Sequence, residues 1–430
     1  MRLVTFLKLD VGYLRNIGFQ SGGNILAQVI NIVSLPIITR LFDPADIGVF
    51  NLFMQFMALA TILISFRVEH VVMLPKTDDD ARELVGFVVG FGIIACVGMT
   101  AAMAGLSLAG LISETYHFWA LILPLASFLV VFAQAAQQLS QRSVDFRRSG
   151  MSEIANRAGN SLVSVGAGLL GFPGIWLGIG TAAGFVCKLL VVGRALRPFA
   201  FKPIQAALKG RERIKAQSLE KLLGSMILSH GMLAVTALAP LTYIGYRYGE
   251  NLTGQFALVL GTLALPTTLV GNAVGQVFYQ RASQQFANGS RFTSLLLANA
   301  RMLLFIAVPA FLFVALTGPF LYSFVFGSQW YVAGQTAQIY AVAAALSFMT
   351  VPFERSGLIV NAWWYGPSWH FGRLVTTIGV ILACEAIYAS YLTFILLLTI
   401  QSGLLYIVDG GASYLFSKRD AKFLSRPRSQ

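Results

Sequence analysis

Apolar runs about as long as a bilayer is thick recur along nearly the whole chain. A helix needs roughly 20 such residues to cross ~30 Å of hydrocarbon. Twelve are legible, centred near Asn31, Leu59, Val97, Leu129, Ser164, Ala183, Ala234, Leu265, Pro309, Ala343, Val380 and Gly403. Of the 430 residues, 56% are hydrophobic and 11% charged, against about a quarter charged in a soluble domain. The sequence therefore predicts an all-α, polytopic membrane protein.

The net charge of +13 would suggest nucleic acid as the partner of a soluble chain, but here it has another source. With the amino terminus in the cytoplasm, nearly all of the 31 Lys and Arg residues fall in inside loops and tails, with Arg157, Arg281, Arg301 and Arg373 counted among them. The exceptions are Arg40 and Arg247 at outside ends, and Arg67 and Lys188 within spans. That asymmetry obeys the positive-inside rule. It predicts cytoplasmic termini and removes the need for a nucleic-acid partner.

Other chemistries are disfavoured by what the chain lacks. Cys96, Cys187 and Cys384 lie in apolar runs, with no Cys-x-x-Cys or His-Glu-x-x-His spacing to hold a metal, so core packing is their expected role. No Gly-Lys dipeptide occurs, hence no Walker A loop. Loops on the outside face are short turns, which argues against a membrane glycosyltransferase or polymerase. The expectation is a protein that is not an enzyme and needs no cofactor.

The longest polar stretch, "RPFAFKPIQAALKGRERIKAQSLEK" (residues 197–221), separates two sets of six spans, giving lobes at 1–208 and 209–430. It reads as a basic amphipathic helix lying on anionic lipid. The halves echo each other: "LPIITRLFDPADIGVFNLF" (residues 35–53) and "APLTYIGYRYGENLTGQFAL" (residues 239–258) share a proline, a basic residue, a polar turn, then Gly and Phe two apart. A duplicated unit of one orientation implies pseudo-twofold symmetry about the membrane normal and a central cavity between lobes.

Against this background "SFRVEHVV" (residues 65–72) stands out, with three ionisable side chains near the end of an apolar run. If the second span continues as helix to Leu74, Arg67 lies roughly 10 Å above its inner end, sharing a face with His70, while Glu69 points about 200° away and needs another partner. A charge at that depth is costly unless it faces protein or water. Two readings stand for Arg67: a cavity cation, or a side chain snorkelling to lipid phosphates. Lys188, the pair Glu354 and Arg355 after Pro352, and Glu385 repeat the pattern, and together they suggest a cationic, hydrated chamber. Glu69, Glu354 and Glu385 are candidates for ion coupling or gating; a structural hydrogen bond is the alternative for Glu385. Trp363, Trp364 and Trp369 read as an interfacial belt, with sugar stacking as the alternative.

Four stretches resemble the Wzx-type polysaccharide flippases, in the superfamily that also holds multidrug extruders: residues 35–53, "SFRVEHVVMLPKTDDDA" (65–81), "QQLSQRSVDFRRSGMSEIANRAG" (137–159) and "LPTTLVGNAVGQVFYQRASQQFANG" (265–289). The resemblance implies twelve helices with alternating access, a bacterial inner membrane, and an undecaprenyl-diphosphate-linked oligosaccharide as cargo. Expected partners are membrane lipids, a polysaccharide polymerase and a chain-length regulator. It also implies that Arg67 clamps the pyrophosphate with His70 as helper, and that Arg40 is an outer gate or second phosphate contact. Arg355 and Lys188 complete the substrate-binding set. The "VPFERSG" stretch departs from the family pattern at Glu354 and Arg355. Two rivals remain: a drug or metabolite antiporter of the same fold, and a non-transporting scaffold of a glycan assembly complex.

Overall fold

The computed structural model describes residues 11–143, 145–196, 203–216 and 218–419. The basic residues Arg2 and Lys8, those at 197–202 and those after 419, used to orient the chain, lie outside these. Among the described residues the structure is helical throughout, with no strand. Ten segments are long and apolar enough to span a membrane. Every expected centre falls on a helix, but two of those helices are less apolar than a span, α5 (Phe146–Leu169) and α14 (Tyr365–Ala386).

The chain divides into two compact units, Met1–Ala234 and Val235–Gln430. The first contains α1 (Val11–Leu41), α2 (Pro44–Ser65), α3 (Asp78–Leu108), α4 (Glu114–Arg142), α5, α6 (Ile175–Val192), α7 (Pro203–Ala216) and the first half of α8 (Glu220–Tyr248). In it, α5 is enclosed between α1 and α6. Small residues let the backbones approach: a Cβ on Gly23 would stand 2.5 Å from the Gly150 Cα, and one on Gly184 2.5 Å from the Asn156 carbonyl. Ser149, Ser152, Asn156 and Ser164 of α5 are buried there. The polar side chains of α5 face its neighbours, while Met151, Leu162 and Leu169 remain exposed.

The second unit holds the rest of α8, then α9 (Glu250–Leu263), a π-turn (Thr267–Gly271), α10 (Asn272–Ala287), α11 (Thr293–Phe326), α12 (Tyr331–Thr350), the short α13 (Ser356–Ile359), α14 and α15 (Tyr391–Ser417). Helix α12 packs on α9, α11 and α15. Its start is fixed by Gln255, whose amide donates to the Gln329 carbonyl and whose oxygen accepts from the Ala333 N–H, both at 2.8 Å. One otherwise orphaned helix donor is thereby satisfied. The sequence echo has a structural counterpart: Pro36 and Pro240 lie inside α1 and α8, Arg40 and Arg247 occupy their last turns, and the Gly-x-Phe pairs open α2 and α9.

Two expectations need correcting. The described part of the basic segment, α7, is not simply laid on lipid. It docks on α3: Gly210 abuts Phe87, Ile214 enters the core, and Arg213 pairs with Glu83 at 2.7 Å and Asp80 at 3.0 Å. Ile204, Leu208, Lys209 and Arg211 remain exposed. Arg157, Arg281, Arg301 and Arg373, counted with inside loops, stand on helices α5, α10, α11 and α14. These helices extend past the apolar runs from which their ends were inferred.

Candidate functional site

The second span does not continue to Leu74. Helix α2 stops at Ser65, and Phe66 and Arg67 both take left-handed backbone, with φ of 49° and 62°. Non-glycine residues pay about 1–2 kcal/mol each for this conformation, so something must hold it. Part of the answer is local: Ser65 Oγ accepts from the Arg67 N–H at 3.1 Å and donates to the Thr61 carbonyl at 2.9 Å. The larger part is packing. The reversal drives Val68 and Val71 of the following 3₁₀ turn (Val68–Val71), and Val72 just after it, to complete burial against Leu84, Val85 and Val88 of α3 and Ala135 of α4. Phe66 leans on Phe91 at 5.1 Å between rings.

That reversal overturns the helical geometry expected for the charged triplet. Glu69 is not turned away from Arg67. The Arg67 Nη1 lies 3.7 Å from Glu69 Oε1 and 3.5 Å from His70 Nε2, and His70 Nε2 lies 3.6 Å from the same carboxylate oxygen. Glu69 is 1% exposed, and neither of its oxygens accepts a hydrogen bond; Arg67 Nε is likewise without an acceptor. A buried carboxylate in that condition depends on the charge of Arg67 beside it, with the His70 ring within 3.6 Å of the same oxygen. His70 also stacks on His230 of α8, 5.8 Å away and nearly parallel. It sits beyond the end of the α2 span. Burial pushes its pKa below the ordinary 6.5, with Glu69 opposing and Arg67 and His230 adding to the shift.

The turn is secured from outside by Arg142, the last residue of α4. Its guanidinium pairs with Asp78 at 2.8 Å and donates to the carbonyls of Val72 (3.2 Å), Met73 (3.4 Å) and Pro75 (2.9 Å). Arginine suits this task because its planar fork carries five donors. Neither Arg142 nor His230 was singled out from the sequence. An arginine at an inside helix end looks like an orientation signal, and His230 is distant in the chain from the residues it meets.

The remaining candidates are not gathered around Arg67. Arg40 is exposed in the last turn of α1, next to the opposite end of α2. The intervening 22 residues span about 33 Å of helix, so Arg40 and Arg67 do not share one phosphate. Lys188, 4% exposed, is committed to Glu153 at 2.7 Å, whose carboxylate also accepts from Gln137 at 2.9 Å. In the second unit, Glu354 and Arg355 border a pocket of about 270 Å³, with the Arg355 guanidinium over the Tyr279 ring. Glu385 accepts from Tyr243 at 3.1 Å and faces Arg247 at 3.8 Å. Among the described residues no cluster of His, Cys, Asp and Glu could hold a metal ion.

Residues 37–334 match the family described as polysaccharide biosynthesis protein. No curated sequence matches the chain. Among solved structures, it is similar to a multidrug resistance MATE family transporter of the MOP superfamily in an inward-facing conformation: TM-score 0.65, 15% identity, 93% of this chain and 96% of that one covered. An outward-facing conformation of such a transporter gives TM-score 0.53, 16% identity and coverage of 95% and 96%. At these identities the likeness concerns the fold. The family match extends over well more than half of the sequence, and the chain belongs to the polysaccharide biosynthesis protein family, a Wzx-like polytopic membrane protein with the MATE-type fold.

Proposed function

We infer that the protein is a flippase that carries undecaprenyl-diphosphate-linked oligosaccharide repeat units from the cytoplasmic to the outer leaflet by alternating access. The observation that carries this reading is the Arg67 turn. Two strained residues and a four-bond clamp from Arg142 hold a guanidinium whose ion-pair partner among the described residues is a carboxylate at 3.7 Å without hydrogen bonds. A diphosphate offers what Glu69 does not, oxygens free to meet the arginine fork in bidentate geometry. The polar glycan needs a hydrated path to avoid the cost of hydrocarbon, while the lipid tail stays in the bilayer.

In this reading His70 assists Arg67, and Glu69 is the internal anion that cargo displaces. Glu354 and Glu385 remain candidates for coupling or gating, and Arg40 and Arg355 act elsewhere on the path. Lys188 contributes through its pair with Glu153. The protein then works in a bacterial inner membrane with both termini cytoplasmic and six-helix lobes at 1–208 and 209–430, alongside a polymerase and a chain-length regulator. The distribution of Lys and Arg supports that orientation.

The test is reconstitution of the full chain in liposomes with a lipid-linked oligosaccharide, following accessibility of the sugar to a membrane-impermeant reagent. Protein-dependent translocation that fails with Arg67→Ala is expected. Export of cationic drugs with no movement of the lipid-linked sugar would favour the antiporter and end the flippase reading.

A further inference from the structure

The second unit contains a cavity of about 300 Å³ bordered by α9, the π-turn, α10, α12, α14 and α15. Its polar lining comes chiefly from Thr267, Thr268, Asn272, Tyr340, Arg373 and Tyr406. It lies at the small end of ligand pockets, which run about 300–1,000 Å³. The pocket of about 270 Å³ beside Glu354 and Arg355 is also bordered by Asn272, so two polar hollows adjoin on one asparagine. A lining of this kind inside a membrane-embedded bundle requires water or a polar ligand, because acyl chains satisfy none of its hydrogen bonds.

Arg373 decides what that ligand is. Its guanidinium lies over the Tyr406 ring at 5.7 Å and makes no ion pair with a carboxylate among the described residues. The acid one turn beyond Tyr406 on α15, Asp409, is 3% exposed, accepts from Tyr365 Oη at 2.8 Å, and lies within electrostatic reach of Arg373 without forming an ion pair with it. A half-buried arginine that, among the described residues, has no carboxylate ion-paired to its fork and stands beside two tyrosines offers a bidentate seat for a carboxylate, flanked by rings with an apolar body and a polar tip. The adjoining hollow mixes Gln276, Glu354 and Arg355, donors and acceptors suited to sugar hydroxyls. A π-turn at the junction is a feature often found at functional sites.

We propose that this double hollow is a saccharide subsite, in which Arg373 and Tyr406 seat the carboxylate of an acidic sugar and the hollow at Asn272 and Arg355 receives its neighbour. The assignment rests on the flippase reading only for its role in transport. Binding of the sugar stands independently of it.

The experiment is calorimetric titration of the purified full chain with three soluble probes: trigalacturonate, the neutral maltotriose, and inorganic pyrophosphate. Trigalacturonate is expected to bind more tightly than maltotriose. Arg373→Ala should weaken it at least about tenfold, with partial recovery in Arg373→Lys. Arg373→Gln, with an unchanged thermal unfolding midpoint, separates lost binding from lost folding. Equal binding of acidic and neutral trisaccharide, no binding of either, or indifference to both Arg373→Ala and Arg373→Gln would overturn the proposal. Displacement of trigalacturonate by pyrophosphate would overturn it too, reassigning Arg373 to the carrier's phosphates. Trigalacturonate binding that persists in a protein unable to translocate lipid-linked sugar would sink the flippase reading and leave this subsite intact.

Discussion

Arg142 Nε and Asp78 Oδ1, 2.8 Å apart, tie the last residue of α4 to the first residue of α3. The rest of the same guanidinium holds the carbonyls of Val72, Met73 and Pro75. The strained Arg67 turn thus depends on a residue 75 positions away in the sequence.

Arg142→Lys keeps the charge but has one nitrogen where arginine uses three, and it leaves backbone carbonyls without their donor. Polymer export should fall severalfold while membrane insertion is retained, and protease cleavage between Met73 and Asp78 should become faster. Wild-type cleavage kinetics in the variant would show that the clamp does not set the turn.

At Arg67 the expected order of export is wild type, then Lys, then Ala. Alanine should abolish surface polymer, and lysine should restore a minor fraction because a point charge replaces a fork. The readout is surface glycan normalised to protein in the membrane. Normal glycan with Arg67→Ala would remove this residue from the transport path.

Glu69→Gln tests the internal anion. Removing the charge leaves the Arg67 guanidinium uncompensated in a buried setting, so the protein should lose stability by about 1–3 kcal/mol. Affinity for inorganic pyrophosphate should rise, since no carboxylate competes for Arg67. An unchanged pyrophosphate affinity would mean that Glu69 and ligand do not share the guanidinium.

His70 gives a pH dependence with a definite sign. Its folded pKa is lowered, chiefly by burial, so the unfolded chain takes up a proton that the folded chain resists. The stabilising contribution is complete above about pH 6.5 and declines as pH falls through the interval below it. Protonation places a positive charge beside the Arg67 guanidinium, with the Glu69 carboxylate as the neighbouring counter-charge. Thermal unfolding from pH 7.5 to 5 should show a loss that His70→Asn reduces. A slope identical in wild type and variant would refute this.

Helix α5 supplies a prediction independent of charge. A Cβ on Gly150 would stand 2.5 Å from the Phe19 carbonyl oxygen, a distance only backbone movement can relieve. Gly150→Ala should destabilise the first unit by about 1–3 kcal/mol, measured as a lower unfolding midpoint in detergent. Gly166→Ala on the same helix, where a Cβ meets nothing, should leave it unchanged.

The sequence by itself determined the solvent and the element type. Runs of some 20 apolar residues leave the backbone little choice but helix in lipid, and every expected centre lies on one. It also determined the repeated hairpin, because the proline, basic residue and Gly-x-Phe occur at matching positions in α1–α2 and α8–α9. Tertiary structure decided where α2 ends. Nothing local in Phe66 and Arg67 demands left-handed backbone; burial of Val68, Val71 and Val72 against α3 and α4 repays it. The partners Glu153 for Lys188, His230 for His70 and Arg142 for the turn are distant in the sequence, and Arg373 resembled a loop charge until α14 carried it to a cavity wall. Hydrophobic run length acts within one segment and is legible there. Which charges meet depends on how segments pack, and a single segment does not carry that information.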